Sequence, residues 1–242
     1  EEGVNAFAKH LAYGLRVQTD TPMTALTVPS VPGSMWRIRT GGGEEITTRT
    51  LVFALPPSNV RDLLATSGAL PPALAGLPPL LDLAPSVACA TVIARYPADA
   101  PRPAWDVNYP DATSCVQSIG HDSSKRAPGA VLTLVIQARA SWSRASIDQP
   151  VEAWATALLD EAARLHGTWM GRPASFQGHA WRKARVAPGC ELSQTVLLDL
   201  GAGVRLGCAG DAFHPAGGVE GAYLSGLQLA ARLHDALTHR PS

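Results

Sequence analysis

A mixed fold of strands and helices, α+β / α/β, is predicted by three stretches of the chain. Near the C-terminus an apolar run, Val204 to Ala209, stops at Gly210-Asp211 and gives way to a helix that begins near Val219. Between Pro22 and Leu55, alternating segments separated by glycine and proline turns lead into an apolar run that ends at Pro56-Pro57. Between Val87 and Arg182, further strand-like runs surround one long helical pattern. Strand runs and helical faces of this kind make a layered fold.

In chain order, Val4, Phe7, Ala8 and Leu11 make a short helical face closed by Gly14, and Leu15 to Val17 suggests a strand. Pro22 to Val28 predicts a strand, Pro29 to Gly33 a turn and Trp36 to Arg39 a half-exposed strand. Gly41 to Gly43 turns the chain and Ile46 to Thr48 returns it. Leu51 to Leu55 is apolar throughout and predicts a buried strand, after which Ser58 is placed to cap a helix through Leu64. Residues 66–85, rich in proline and leucine, predict a short helix and loop. Val87 to Ala94, Cys115 to Ile119, Ala130 to Gln137 and Gly178 to Arg182 predict strands, with a loop over Pro97 to Asn108. Ser146 to Gly167 predicts the main middle helix, with Val151, Trp154, Ala155, Leu158, Leu159, Ala162 and Leu165 on one face. Gly201 to Gly207 precedes a strand, so it reads as a hairpin turn.

The last helix has an unusual start. Gly217 and Gly218 precede it, and Gly221, Ala222, Ser225 and Gly226 fill its first two turns. Such residues weaken a helix intrinsically, which makes sense if something large lies against the backbone there. The first N–H groups of a helix have no partner within it and sit at the positive end of its dipole. Glycines that leave them bare favour an anion or a polarised carbonyl. Asp211, closing the preceding strand, adds an acceptor. An ordinary strand–turn–helix with a glycine turn has the same pattern, so both readings stand on spacing alone. The predicted core-facing stripe runs through Val219, Tyr223, Gly226/Leu227, Ala230, Leu233 and Leu237.

Composition excludes several functions. Lys+Arg and Asp+Glu both number 20 among 242 residues, which gives no electrostatic case for nucleic acid or an anionic membrane. No apolar run approaches the length of a bilayer span, and no signal peptide is expected from this sequence. Cys89, Cys115, Cys190 and Cys208 lack zinc spacing, the 7 histidines show no metal pattern, and reduced cysteines suit a cytoplasmic protein. The Ala, Arg, Gly and Pro content suggests a GC-rich bacterial source. No P-loop, HExxH or GxSxG pattern occurs.

The stretch GCAGDAFHPAGGVEGAYLSGLQLAARL resembles the C-terminal FAD-binding signature of the flavin amine oxidase superfamily, and is most similar to its renalase-like branch. The resemblance implies FAD as cofactor and a small-molecule substrate. Gly210 and Asp211 would meet the ribityl chain or pyrophosphate side. The backbone at Gly218, Val219 and Glu220, with Ala222 behind it, would meet the pyrimidine edge of the ring. The order of helix, strand near Met23, meander and buried strand is also the superfamily's, which places the backbone of Met23 near adenine and Ala54 to Pro56 near the cofactor. Trp181 and His214 become substrate-facing candidates, with core packing and a hydrogen-bonded loop residue as their structural readings. Lys183 could approach the flavin, and Arg182 and Arg185 could attract an anion or lie on the surface. No acid or base is assigned to catalysis, because the flavin carries the redox step in this class.

The implied fold is a partial FAD-binding domain of the two-dinucleotide-binding type, residues 1–64 and 177–242, with an inserted mixed-sheet substrate domain, residues 65–176. The strand–GxGxxG–helix unit that opens such enzymes has no counterpart here. A fragment, a subunit completed by a chain carrying that unit, and a degenerate protein are the three expectations this leaves. In each, the chain alone would hold FAD weakly or not at all.

Overall fold

The computed structural model describes residues 5–31 and 33–238. It divides into two compact units: a central unit, Glu1–Tyr13 with Val87–Ala184, and a C-terminal unit, Gly14–Ser86 with Arg185–Ser242. The division falls at 86/87 and 184/185, beside the 64/65 and 176/177 drawn from sequence. Residues 65–86 join the C-terminal unit because Leu74, Leu77 and Leu81 are buried in its core.

The C-terminal unit holds two three-stranded sheets. Strands β1 (Met23–Thr27), β2 (Trp36–Thr40) and β3 (Glu45–Thr48) form an antiparallel meander. Strands β4 (Thr50–Phe53), β10 (Val196–Asp199) and β11 (Arg205–Cys208) form the other, in the order β10-β11-β4. Strands β10 and β11 are the arms of the hairpin expected at Gly201 to Gly207, although β10 itself gave no sequence signal. Strands β11 and β4 run parallel, with Leu206 opposite Leu51 and Cys208 opposite Phe53. The helices are α2 (Pro57–Ala65), α3 (Leu77–Asp82) and α6 (Gly218–Thr238). Trp36, fully buried, ties the meander to the second sheet by donating from Nε1 to the Arg205 carbonyl at 3.0 Å.

The central unit carries α1 (Asn5–Leu11) and a five-stranded sheet in the order β6-β7-β8-β5-β9. Its strands are β5 (Ser86–Arg95), β6 (Val107–Asn108), β7 (Val116–His121), β8 (Thr133–Ala138) and β9 (Ser175–Val186). Two helices, α4 (Ala140–Ser146) and α5 (Val151–His166), precede β9. One face of the sheet, through Ala90, Val92, Leu134 and Ile136, packs with Trp154, Leu158 and Ala162 of α5 in a single core.

Several expectations change. Leu15 to Val17 forms no strand; its side chains are exposed and no strand pairs with it. The helix expected from Ser146 is two helices, because Pro150 sits at the N-cap of α5 and cannot continue α4. Ser58 does not cap α2: Pro56 is the N-cap, and the Ser58 hydroxyl is buried without a partner among the described residues. Strand β4 is buried on one face only: Leu51 and Phe53 are buried as expected, while Val52 on the other face and Leu55 beyond the strand end stay partly exposed. The face of α6 expected to meet the core points outward: Val219 is 60% exposed, Leu227 52% and Leu237 58%, while Gly221, Ser225 and Leu229 are buried. The reason is steric. Strand β11 brings Gly207 so close to α6 that a Cβ there would lie 3.0 Å from the Leu229 side chain, and the neighbouring turn needs small residues against it. Val4 and Pro32, each part of an expected element, lie outside the described residues.

Candidate functional site

Strand β11 is buried at all four positions and delivers the chain to Gly210. Its parallel partner β4 ends level with it, since Phe53 pairs with Cys208 and the Ala209 N–H donates to the Phe53 carbonyl at 3.1 Å. Ala54, Leu55 and Pro56 therefore leave β4 at the same end at which Gly210 and Asp211 leave β11. Crevices outside the carboxyl ends of parallel strands are where open α/β sheets bind ligands. The geometry brings four residues named from sequence (Ala54, Pro56, Gly210 and Asp211) to one end of one strand pair.

A short 3₁₀ turn, Asp211–Phe213, follows, anchored by Ala212 and Phe213 in the core. The loop then closes on itself. The Gly217 N–H donates to the His214 carbonyl at 3.0 Å, and the Ala216 N–H donates to His214 Nδ1 at 3.1 Å. With Nδ1 accepting, the neutral imidazole carries its proton on Nε2. Gly217 and Gly218 both take left-handed backbone angles, φ 59° and 54°. A side chain is strained there, so the glycine pair is what lets α6 start immediately after the loop.

Ser225 holds this arrangement. Fully buried, its Oγ accepts from the Gly210 N–H at 2.9 Å and lies 2.9 Å from the Gly210 carbonyl and 3.0 Å from that of Ala222. Gly221 is buried against the loop as well, with the His214 carbonyl 3.4 Å from where its Cβ would be. Two of the small residues attributed to a bulky ligand thus serve the chain's own turn. Sequence reasoning missed the clamp role of Ser225; the available signal was a small polar residue one helical turn after Gly221, on the same face.

What remains open is specific. Added Cβ atoms at Gly210 and Gly218 would meet nothing within 4 Å. The N–H groups of Gly218, Val219 and Glu220 open α6 and have no partner within the helix. Asp211 is half-buried, and its carboxylate has no hydrogen-bond or ion-pair partner among the described residues. These groups fit a ligand that offers hydroxyl donors to Asp211 and an electron-rich edge to the helix start. Ala222 is half-buried one turn in, and the Glu220 side chain is exposed. Met23 opens β1 opposite Thr40, and its side chain packs against the core of the unit.

The chain matches the family profile of flavin containing amine oxidoreductases over residues 1–234. It belongs to that family. Solved structures of similar fold include a protein assigned as a protoporphyrinogen oxidase from Exiguobacterium sp. 255-15, with TM-score 0.66 and 15% identity over 98% of this chain and 51% of that one. A variant of putrescine oxidase gives TM-score 0.65 and 16% identity over 95% and 51%. Cyclohexylamine oxidase from Brevibacterium oxydans IH-35A gives 0.57 and 18% over 90% and 49%. The chain spans about half the length of these structures. No curated protein sequence matches it. The mixed fold is that of the FAD-dependent amine oxidases.

In this family member Trp181 lies in the central unit, on β9, and is half exposed. It packs against His179 two residues earlier, with ring centroids 3.9 Å apart. The pair shares one face of β9. Gly178 and Ala180 share the other: Gly178 lies against Val151 and Trp154, and Ala180 packs against the unit's core. His179 had no signal in the sequence beyond its spacing from Trp181. Arg182 is ion-paired with Asp148. Among the described residues no group of three or more His, Cys, Asp or Glu is placed to hold a metal, and no helix is long and apolar enough to cross a membrane.

Proposed function

We propose that this chain forms the flavin-edge and substrate-facing part of an FAD-dependent oxidoreductase, similar to amine oxidases and renalase-like enzymes. The reaction is hydride removal from a C–H next to nitrogen, in an amine or a dihydropyridine-type ring. One observation carries the reading: Asp211, whose carboxylate has no partner among the described residues, and the start of α6, whose first N–H groups have no partner within the helix, follow the carboxyl ends of parallel β4 and β11, with open space at Gly210 and Gly218. Bound there, FAD would supply the hydride acceptor.

The chain's own residues would do the rest. Asp211 would accept a hydrogen bond from a hydroxyl of the ribityl chain. The N–H groups of Gly218, Val219 and Glu220 would donate to the pyrimidine edge, and the positive end of α6 would favour negative charge on it. His214, with Nδ1 occupied, would face the site as an Nε2–H donor. Trp181 would supply a wall of the substrate pocket. Four free cysteines accord with a reducing cytoplasm.

Joining a strand–GxGxxG–helix unit to the chain, loading it with FAD and recording the visible flavin spectrum tests this reading. Asp211→Ala should weaken FAD retention by about tenfold, the loss of one charge-assisted hydrogen bond. Equal retention by variant and parent would remove Asp211 from the site.

A second reading is favoured by the free edge of β4 and by the exposed apolar face of α6. In it, the chain binds FAD only beside a complementary chain that supplies the dinucleotide-binding unit. Parallel sheets are ordinarily covered and their edges paired. Loading that succeeds with that unit supplied as a separate chain would select this reading.

A further inference from the structure

We propose that the central unit carries a binding site for a small zwitterion of the α-amino-acid type, in the pocket between the end of β5 and the turn that follows α5. The proposal goes beyond the oxidoreductase reading and does not depend on it. The pocket encloses about 290 Å³, at the small end of ligand sites, and its lining includes Tyr96, Pro97, Asp99, Pro101, Trp169 and Arg172. Asp99 and Arg172 carry the argument. Both are exposed, both line this one pocket, and neither side chain has a hydrogen-bond or ion-pair partner among the described residues. Opposite charges that share a small concavity without closing on each other leave room for a molecule that answers both.

The walls of the pocket are held from within the unit. The buried Tyr96 hydroxyl donates to the Met170 carbonyl at 2.8 Å, and the Ala174 N–H donates to the Arg95 carbonyl at 2.8 Å. These two bonds pin the segment that carries Arg172 to the end of β5, one on each side of it. Within that segment the Arg172 N–H donates to the Trp169 carbonyl at 3.1 Å. Asp99 sits in a turn closed by the Ala100 N–H on the Pro97 carbonyl at 3.1 Å, between two prolines of fixed φ. Trp169 donates its Nε1–H to the His166 carbonyl at 3.1 Å and meets Tyr96 edge-on, with ring centroids 5.1 Å apart. Its polar atom is thus already used, and it offers the pocket an apolar ring. A guanidinium grips a carboxylate through paired N–H bonds, and a carboxylate accepts from an ammonium. A ligand with a single charge would leave the other side chain partly stripped of water and unpaired. A zwitterion pairs both, and its apolar body covers Trp169 and the prolines.

Three probes that share one phenyl ring and differ in charge test this: L-phenylalanine, 3-phenylpropionate and 2-phenylethylamine. Binding to the full chain is titrated by saturation-transfer NMR at neutral pH and low salt, without flavin. L-phenylalanine should bind at least about threefold more tightly than either singly charged probe, the size of one partly screened ion pair. Arg172→Gln should lower L-phenylalanine to the level of 2-phenylethylamine and leave 2-phenylethylamine no weaker. Asp99→Asn should lower L-phenylalanine to the level of 3-phenylpropionate and leave 3-phenylpropionate no weaker. Both positions are exposed, so both variants keep the fold, which circular dichroism checks. No binding of L-phenylalanine, equal binding of all three probes, or unchanged L-phenylalanine binding in either variant would overturn the proposal and leave Asp99 and Arg172 as solvated surface charges. Failed FAD loading would sink the oxidoreductase reading alone, since no arm of this test uses flavin.

Discussion

Replacing Ser225 with alanine deletes one hydroxyl, yet the C-terminal unit should feel it well beyond an average surface change. The oxygen is fully buried and accepts the Gly210 N–H at 2.9 Å. Without it that donor faces a methyl group and has no other partner in reach. A donor left unsatisfied in this way costs about 1–3 kcal/mol. For a chain of this size each kcal/mol lowers the midpoint by about 2–4 °C, so Ser225→Ala should melt about 2–12 °C below the parent. Ser225→Val should cost more, because it loses the same bond and pushes a methyl group toward the Gly210 backbone. Urea unfolding followed by circular dichroism gives the free energy. Hydrogen exchange at the Gly210 amide gives the location. A loss under about 0.5 kcal/mol, with exchange at Gly210 unchanged, would show that the clamp does not hold the Asp211 loop. The mechanistic reading of that loop would then lose its support.

Other expectations follow from the same packing. Gly178→Ala should destabilise the central unit by about 1–3 kcal/mol, since the new methyl meets Val151 and lies 2.7 Å from Trp154 Cη2, and chemical denaturation reads it directly. The Glu161 carboxylate is held down at about 2 by the Arg164 guanidinium and by the Ser114 hydroxyl, although partial burial opposes the shift. A carboxyl group with a depressed folded pKa stabilises above its ordinary value of 4.5 and loses that contribution as pH falls toward 2. The stability gap between parent and Glu161→Gln should therefore shrink through that window in acid titrations. Cys208, fully buried with its thiol pushed up to about 12, should resist alkylation in the native protein and react only on unfolding, whereas Cys190, half-buried, should label first.

How far the sequence could be read depends on what each signal reports. Turns and strand ends are local, so the Gly201–Gly203 hairpin, the stop at Gly167 and the strand-to-loop exit at Gly210 were all legible. The crevice was legible in part, because a strand, an acid and a glycine pair in succession have few ways to fold. Edge position is not local. Leu51 to Leu55 carries the composition of a covered strand, and only the sheet order shows that one side of β4 is free. The His179–Trp181 pair was half legible: period two puts both rings on one face, but nothing in the chain says which face α5 covers.

Helix α6 makes the same point with consequences for function. Periodicity identifies apolar stripes, and this helix has two. Val219, Tyr223 and Leu227 form the bulkier one, which sequence reasoning assigns to the core because large side chains bury more surface. The fold instead turns inward the stripe of Gly221, Ser225 and Leu229. Close approach decides the matter: Gly207 and the Gly210 loop come near enough that only small residues fit. A helix apolar on both sides is ordinarily covered on both. The inner stripe therefore fixes how the start of α6 seats against the Gly210 loop. The outer stripe stays exposed at Val219 and Leu227. One helix thus bears on both proposed readings: its small inner residues seat its start against the Gly210 loop, and its exposed apolar residues are the surface that a complementary unit would use in the second proposal.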